Sequence, residues 1–188
     1  MRLFFLNRYI ELIVFFIISL LLTLNCIAAE RPAQRSNIYT LKFQWTEDNE
    51  EKVAISKWKG SPVVLAMAYT ECRKICVMTL HKLEEIQALS DQKKIPVQFV
   101  VVSLDPRNDN PASWRYYRKK HQLQNRSNWH FLTGDDANTS RLAYLMGMKY
   151  WQDTDHILHE FRILYLNANG DVEKFLDWDH QDSAMFFQ

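Results

Sequence analysis

Cys72 and Cys76 stand four residues apart in the stretch AYTECRKICVMTLHKL (residues 68–83), with Arg73 and Lys74 between them. Residues four apart on a helix share a face, with β-carbons roughly 5–6 Å from each other. A disulfide wants them nearer about 4 Å, so this pair closes only with local unwinding, and a strained bridge is easily reduced. If the pair begins a helix, the partial positive charge there and the two flanking cations favour thiolate, the form that attacks disulfides and binds soft metals. Three chemistries stay open at this point: an inert or structural pair, a redox pair, and two ligands of a metal site.

Two thiolates leave Cu(I) or Zn(II) short of donors, and imidazole is the natural supplement. The chain holds six histidines: His81, His121, His130, His156, His159 and His180. His81 lies five residues beyond Cys76, where a helical turn carries it off the cysteine face. His121 and His130 flank a predicted helix end and a short strand, and His180 is in a polar tail. His156 and His159 fall in a predicted loop feeding the last hairpin, beside the cysteine helix.

The elements that must position these groups are legible as periodicities. VVLAMAY (Val63–Tyr69) and VQFVVVSL (Val97–Leu104) are continuous apolar runs and predict buried central strands. Between them Ile75, Cys76, Met78, Thr79, Leu83 and Ile86 recur at helical spacing, so a helix runs from Arg73 to about Leu89. That places the cysteines at a strand-to-helix junction. A second helix is expected from Pro111 to about His121, proline being tolerated at a first helical position. WHFLTG (129–134) reads as a short strand, and DDANTSRLAYLMG (135–147) as a helix with an acidic start and Gly147 at its end. LKFQW and KVAIS around the acidic turn TEDNEE predict an N-terminal hairpin, and FRILYL and VEKFL around Asn169-Gly170 a closing C-terminal one. Strands alternating with helices predict an α/β, thioredoxin-like fold around a mixed central sheet.

Composition narrows the class. The chain has 188 residues, 47% of them apolar, enough for one domain with a core. With 23 basic and 22 acidic residues and no basic face, nucleic acid is not an expected partner. Arg2 and Arg8 precede LIVFFIISLLLTL (12–24), and NCIAA follows. Residues 1–29 therefore read as a signal peptide or an N-terminal membrane anchor, and 30–37 as a tether. Cys26 raises a lipoprotein reading, against which Asn25 stands where a small residue is expected. Either route exports the domain to a compartment where thiols oxidise, and cleavage would leave Cys72 and Cys76 as its two cysteines.

In this order, VVLAMAYTECRKICVMTLHKLEEI, FVVVSLDPRNDNP and HEFRILYLNANGDV resemble the Sco/SenC proteins over residues 38–176. Tyr69, Thr70, Cys72 and Cys76 match the family's CxxxC motif, and Asp105, Pro106, Asp109 and Pro111 its DPxRDTP segment, with the arginine displaced to Arg107. The resemblance implies a thioredoxin-like domain over 38–188. It also implies a membrane-associated copper protein linked to assembly of cytochrome c oxidase, and in particular of the subunit carrying CuA. The family's copper histidine lies eleven residues before the hairpin glycine, which here is His159, so the implied ligands are Cys72, Cys76 and His159. It implies a periplasmic protein, or one anchored to the outer face of the inner membrane, whose cysteines are served by a thiol reductant or a thioredoxin-like protein. The sequence departs from the pattern at Val77, where proline often follows the second cysteine, and at Leu158, where aspartate often precedes the histidine. Gln188 comes early for the family's last helix. No proline follows Pro111, so the proline that thioredoxins set opposite their cysteines is missing, which favours a metal site over general disulfide exchange. The competing reading is a copper-independent thiol-disulfide oxidoreductase, with Cys72 as nucleophile and Cys76 resolving. A peroxide-reducing enzyme lacks its peroxidatic surroundings here. Trp114, Tyr116, Tyr117, Trp151 and Trp178 are candidates for a docking face or, by their usual burial, for the core.

Overall fold

Six consecutive buried residues make β3 (Val63–Ala68) an interior strand of the structure, a computed structural model that describes residues 37–72, 75–154 and 156–188. The expected signal or anchor over 1–29, the tether up to residue 36, and Arg73 and Lys74 lie outside the described residues. A strand with apolar side chains on both faces needs neighbours on both edges and cover on both sides. β3 pairs in parallel with β4 (Gln98–Ser103), Val64 opposite Phe99, and antiparallel with β8 (Ile163–Leu166), Val64 opposite Tyr165. β5 (Trp129–Thr133) continues the parallel set beyond β4. With β1 (Trp45–Glu47), β2 (Lys52–Val53) and β9 (Val172–Leu176) the seven-stranded mixed sheet runs β2-β1-β5-β4-β3-β8-β9. This is the α/β, thioredoxin-like architecture expected from the sequence.

Among the described residues three helices connect the strands: α1 (Ile75–Lys93), α2 (Pro111–Lys120) and α3 (Asp136–Leu145). α1 runs four residues past its expected end and buries Cys76, Thr79, Leu80, Leu83, Ile86, Gln87 and Ser90, a stripe at helical spacing. Asn110 caps α2 by accepting from the Ala112 and Ser113 amides, while the Ser113 hydroxyl accepts the Asn110 amide in return, with Pro111 in the first turn. Asp135 caps α3 through the Asn138 amide. Trp114 is fully buried, its indole N–H donating to Thr133 Oγ1 at 3.0 Å, and Tyr117 packs beside it. Tyr116, Trp151 and Trp178 are exposed, so the five aromatics divide between core and surface.

Both expected hairpins exist with shifted boundaries. β1 extends into the acidic segment because Glu47 is buried opposite Leu132, where Lys57 and His130 reach its carboxylate at 2.9 and 2.6 Å. Ile55 and Ser56, expected as the end of the second strand, instead begin a 3-10 turn over Ile55–Trp58. At the other end Asn169-Gly170 sits within a longer connection, since Asn167 Oδ1 accepts from both the Asn169 and Asp171 amides and widens the turn. One difference bears on the site. Residues 148–160, expected as loop, contain a separate antiparallel pair, β6 (Tyr150–Asp153) and β7 (His156–His159). Among the described residues no helix is long and apolar enough to cross a membrane.

Gly134 follows β5 where a β-carbon would come within 2.5–2.6 Å of the Trp45 ring. Gly134→Ala is therefore expected to cost about 1–3 kcal/mol by overpacking. At about 2–4 °C per kcal/mol for a chain of this size, thermal unfolding should show Tm lower by several degrees. An unchanged Tm would mean that the ring is free to move aside.

Candidate metal centre

Cys72 lies in the loop leaving β3, and Cys76 is buried in the first turn of α1. No disulfide joins them. The Cys76 amide, one of the N–H groups that a helix start leaves without an intrahelical partner, donates to Cys72 Sγ at 3.4 Å. A buried carboxylate holds the loop from behind. Asp109 accepts from the Thr70 amide at 3.2 Å and the Thr70 hydroxyl at 2.6 Å, and its other oxygen accepts from the Ser103 hydroxyl at 2.6 Å. Burial pushes the Asp109 carboxyl above the ordinary range, and these three hydrogen bonds oppose the rise. The aspartate of the DPRNDNP segment thus ties the end of β4 to the residues just before Cys72.

The third donor arrives on β7. Strand alternation turns Ile157 and His159 toward the domain and leaves His156 exposed, with His159 only 4% exposed. His159 Nε2 lies 3.3 Å from Cys76 Sγ, and Nδ1 lies 2.9 Å from the Glu160 carbonyl oxygen. A carbonyl only accepts, so Nδ1 carries a proton and Nε2 is the nitrogen that faces the sulfur. One donor atom each from Cys72, Cys76 and His159 lies within 4.8 Å of the others. A cavity of about 200 Å³ opens beside them, lined by Tyr69, Cys72, Ile75, Asp153, Ile157 and His159 among others.

Two expectations change here. The histidine-bearing segment is a strand hairpin, and its two-residue alternation separates His159 from His156. The expected electropositive surroundings do not govern Cys76, because burial pushes its thiol well above the ordinary cysteine range and the nearby Cys72 sulfur adds to the rise. Arg73 and Lys74 lie outside the described residues. The remaining histidines are elsewhere: His81 is exposed on α1, His130 is held by Glu47 and Gln98, His180 by Asp177, and His121 lies tilted against the Tyr117 ring. One residue beside the site received no role from the sequence beyond its match to a motif. The Tyr69 hydroxyl meets the Ile157 main chain, the ring stands edge-on to His159, and burial followed by the Cys72 sulfur raises its pKa to about 12.

Two sulfurs and one imidazole nitrogen, convergent and with Cys76 and His159 buried, suit a soft cation that accepts low coordination, with Cu(I) the natural candidate. The second-site hydrogen bond from Nδ1 to a carbonyl is the usual support of a metal-binding histidine. The same pair can also exchange disulfides, with the half-buried Cys72 outermost.

The SCO1/SenC family model matches residues 31–187. A SCO2-like protein of Rickettsia conorii is 26% identical over 166 residues, spanning 81% of this chain and 69% of its own length. The structure of Arabidopsis thaliana ScoI with copper bound superposes with a TM-score of 0.66 at 20% identity, covering 77% of this chain and 91% of that one. That of BsSco, a member of the Sco family of cytochrome c oxidase assembly proteins in which a disulfide switch is described, gives 0.65 at 21% identity, with 76% and 85% covered. The two structural likenesses establish the shared fold.

The contrast between the cysteines is measurable. In copper-free, reduced protein, Cys72 should react with iodoacetamide at neutral pH, while Cys76 should be alkylated about tenfold or more slowly until the protein unfolds. Equal rates, read by mass spectrometry of the peptides, would contradict the burial argument.

Proposed function

The chain belongs to the SCO1/SenC family, and on that premise we propose that it is an exported copper-binding thiol protein that serves assembly of cytochrome c oxidase. Cys72 and Cys76 bind copper as thiolates and His159 binds it through Nε2. The observation that carries this reading is the convergence of the three donor atoms within 4.8 Å, with His159 Nε2 facing the sulfurs. Copper is the cargo, delivered to the oxidase subunit that carries CuA. Residues 1–29 export the domain or anchor it, which puts the site in the periplasm or at the outer face of the inner membrane.

Binding displaces the thiol protons, and that of Cys76 is held more firmly than in a free cysteine, so copper affinity rises with pH. Oxidation of the copper-free dithiol joins the two sulfurs and passes two electrons and two protons to a disulfide of a partner protein, which becomes two thiols. Both thiolate ligands are then lost, so copper release and disulfide formation are linked. A thiol reductant or a thioredoxin-like protein restores the dithiol by the reverse exchange. The half-buried position of Cys72 against the buried Cys76 favours a second reading, a thiol-disulfide oxidoreductase that works without copper.

Copper stoichiometry separates the two. The reduced full-length chain should retain one copper, His159→Ala should retain none, and both should exchange disulfides with a small-molecule substrate at similar rates. No copper in the wild type, with the pair still reducible, would overturn the copper reading and leave the oxidoreductase.

A further inference from the structure

The hairpin of β6 and β7 is a sheet of its own, unpaired with the seven central strands. What holds it against the cysteine loop therefore decides where His159 lies. The Glu160 amide donates to the Lys149 carbonyl at 3.0 Å, and antiparallel ladders alternate bonded with non-bonded pairs. Bonding thus falls on Trp151 with Leu158, and the intervening Gln152–Ile157 pair turns the N–H and C=O of Ile157 to the outer edge. The Tyr69 hydroxyl closes that edge from the end of β3. It donates to the Ile157 carbonyl at 3.2 Å and accepts from the Ile157 amide at 3.3 Å. The ring then stands at 73° to the His159 imidazole with centroids 6.3 Å apart. Further polar ties from the domain to this hairpin include the Cys76–His159 contact and a bond of 2.7 Å between the Ser140 and Tyr150 hydroxyls.

We propose that Tyr69 is a positioning residue for the metal centre, whose hydroxyl fixes the β7 backbone where His159 Nε2 meets the cysteine sulfurs. The inference rests on the copper reading above and adds a group outside the three ligands. His159 takes its orienting hydrogen bond from a main-chain carbonyl, Glu160, which no side-chain substitution removes. The ring direction therefore follows the backbone of residues 157–160, and Tyr69 grips that backbone two residues before the ligand. A phenylalanine at 69 keeps the ring contact and leaves the Ile157 amide and carbonyl unpaired, so β7 is free to shift relative to Cys76.

The test is Tyr69→Phe in the full-length chain. Without copper, amide exchange at Ile157 should accelerate while the amides of β3 and β4 keep their protection and Tm stays close to wild type. With copper, competition against a chromophoric Cu(I) chelator should show affinity weaker by about tenfold, the loss expected when a supporting partner of a ligand is removed. The sulfur-to-copper absorption of the Cu(II) form should also shift, a change that a general loss of stability does not produce. Tyr69→Ala, which removes the ring as well, should lose at least as much affinity. Unchanged protection at Ile157 would overturn the proposal, as would unchanged copper affinity and absorption despite faster exchange. If the wild type takes up no copper, the copper reading fails by itself. The positioning role is then decided by the His159 ring resonances of the copper-free protein, which shift in Tyr69→Phe if it is right and stay put if it is wrong.

Discussion

The Cys76 sulfur and His159 Nε2 meet at 3.3 Å across 83 residues of chain, and most of the architecture can be understood as what brings and keeps them there. A thiol and an imidazole buried together lose their water and must satisfy each other or a metal. The imidazole is fixed in orientation by the Glu160 carbonyl, and the sulfur by its place in the first turn of α1. Neither end has much freedom. Little reorganisation then remains for a cation arriving between them, which is the condition for a preformed site.

Support for this contact comes from two independent sides. On the cysteine side, β3 lies between a parallel and an antiparallel neighbour, so its last residues are fixed by backbone bonds, and Asp109 then clamps Thr70 with two hydrogen bonds and is itself held to Ser103 by a third. A buried carboxylate with fewer partners would be costly, which explains why Ser103 and Thr70 both supply hydroxyls to it. On the histidine side the hairpin is not part of the main sheet and relies on side-chain ties, Tyr69 foremost. The cysteine half is thus built into the core and the histidine half is docked onto it. In the proposed role, copper capture and release need a ligand set that can open, and the docked half is where the structure can yield without disturbing the sheet.

Much of this was legible in the sequence because the core obeys simple periods. The runs at Val63 and Val97 could be little else than buried strands, and the helical spacing after Cys76 predicted α1. The second hairpin was not legible, because its turn at Thr154 carries no Asn-Gly or Asp-Gly signal and its first strand is mostly exposed. Without that hairpin the residues alone could not separate His156 from His159. The choice of His159 came from resemblance, and strand alternation now gives it a physical reason. The elevated thiol of Cys76 was equally out of reach, since burial depends on what packs over the first turn of α1 and not on the charges beside it in the sequence. Glu47 misled in the same way, a buried strand residue that reads as a turn until Lys57 and His130 are seen beside it.

The most direct measurement is X-ray absorption at the copper edge, on the reduced full-length chain loaded with Cu(I). The three-donor site predicts a first shell of two sulfurs and one imidazole nitrogen. A shell of nitrogen and oxygen alone, or one with a single sulfur, would contradict it.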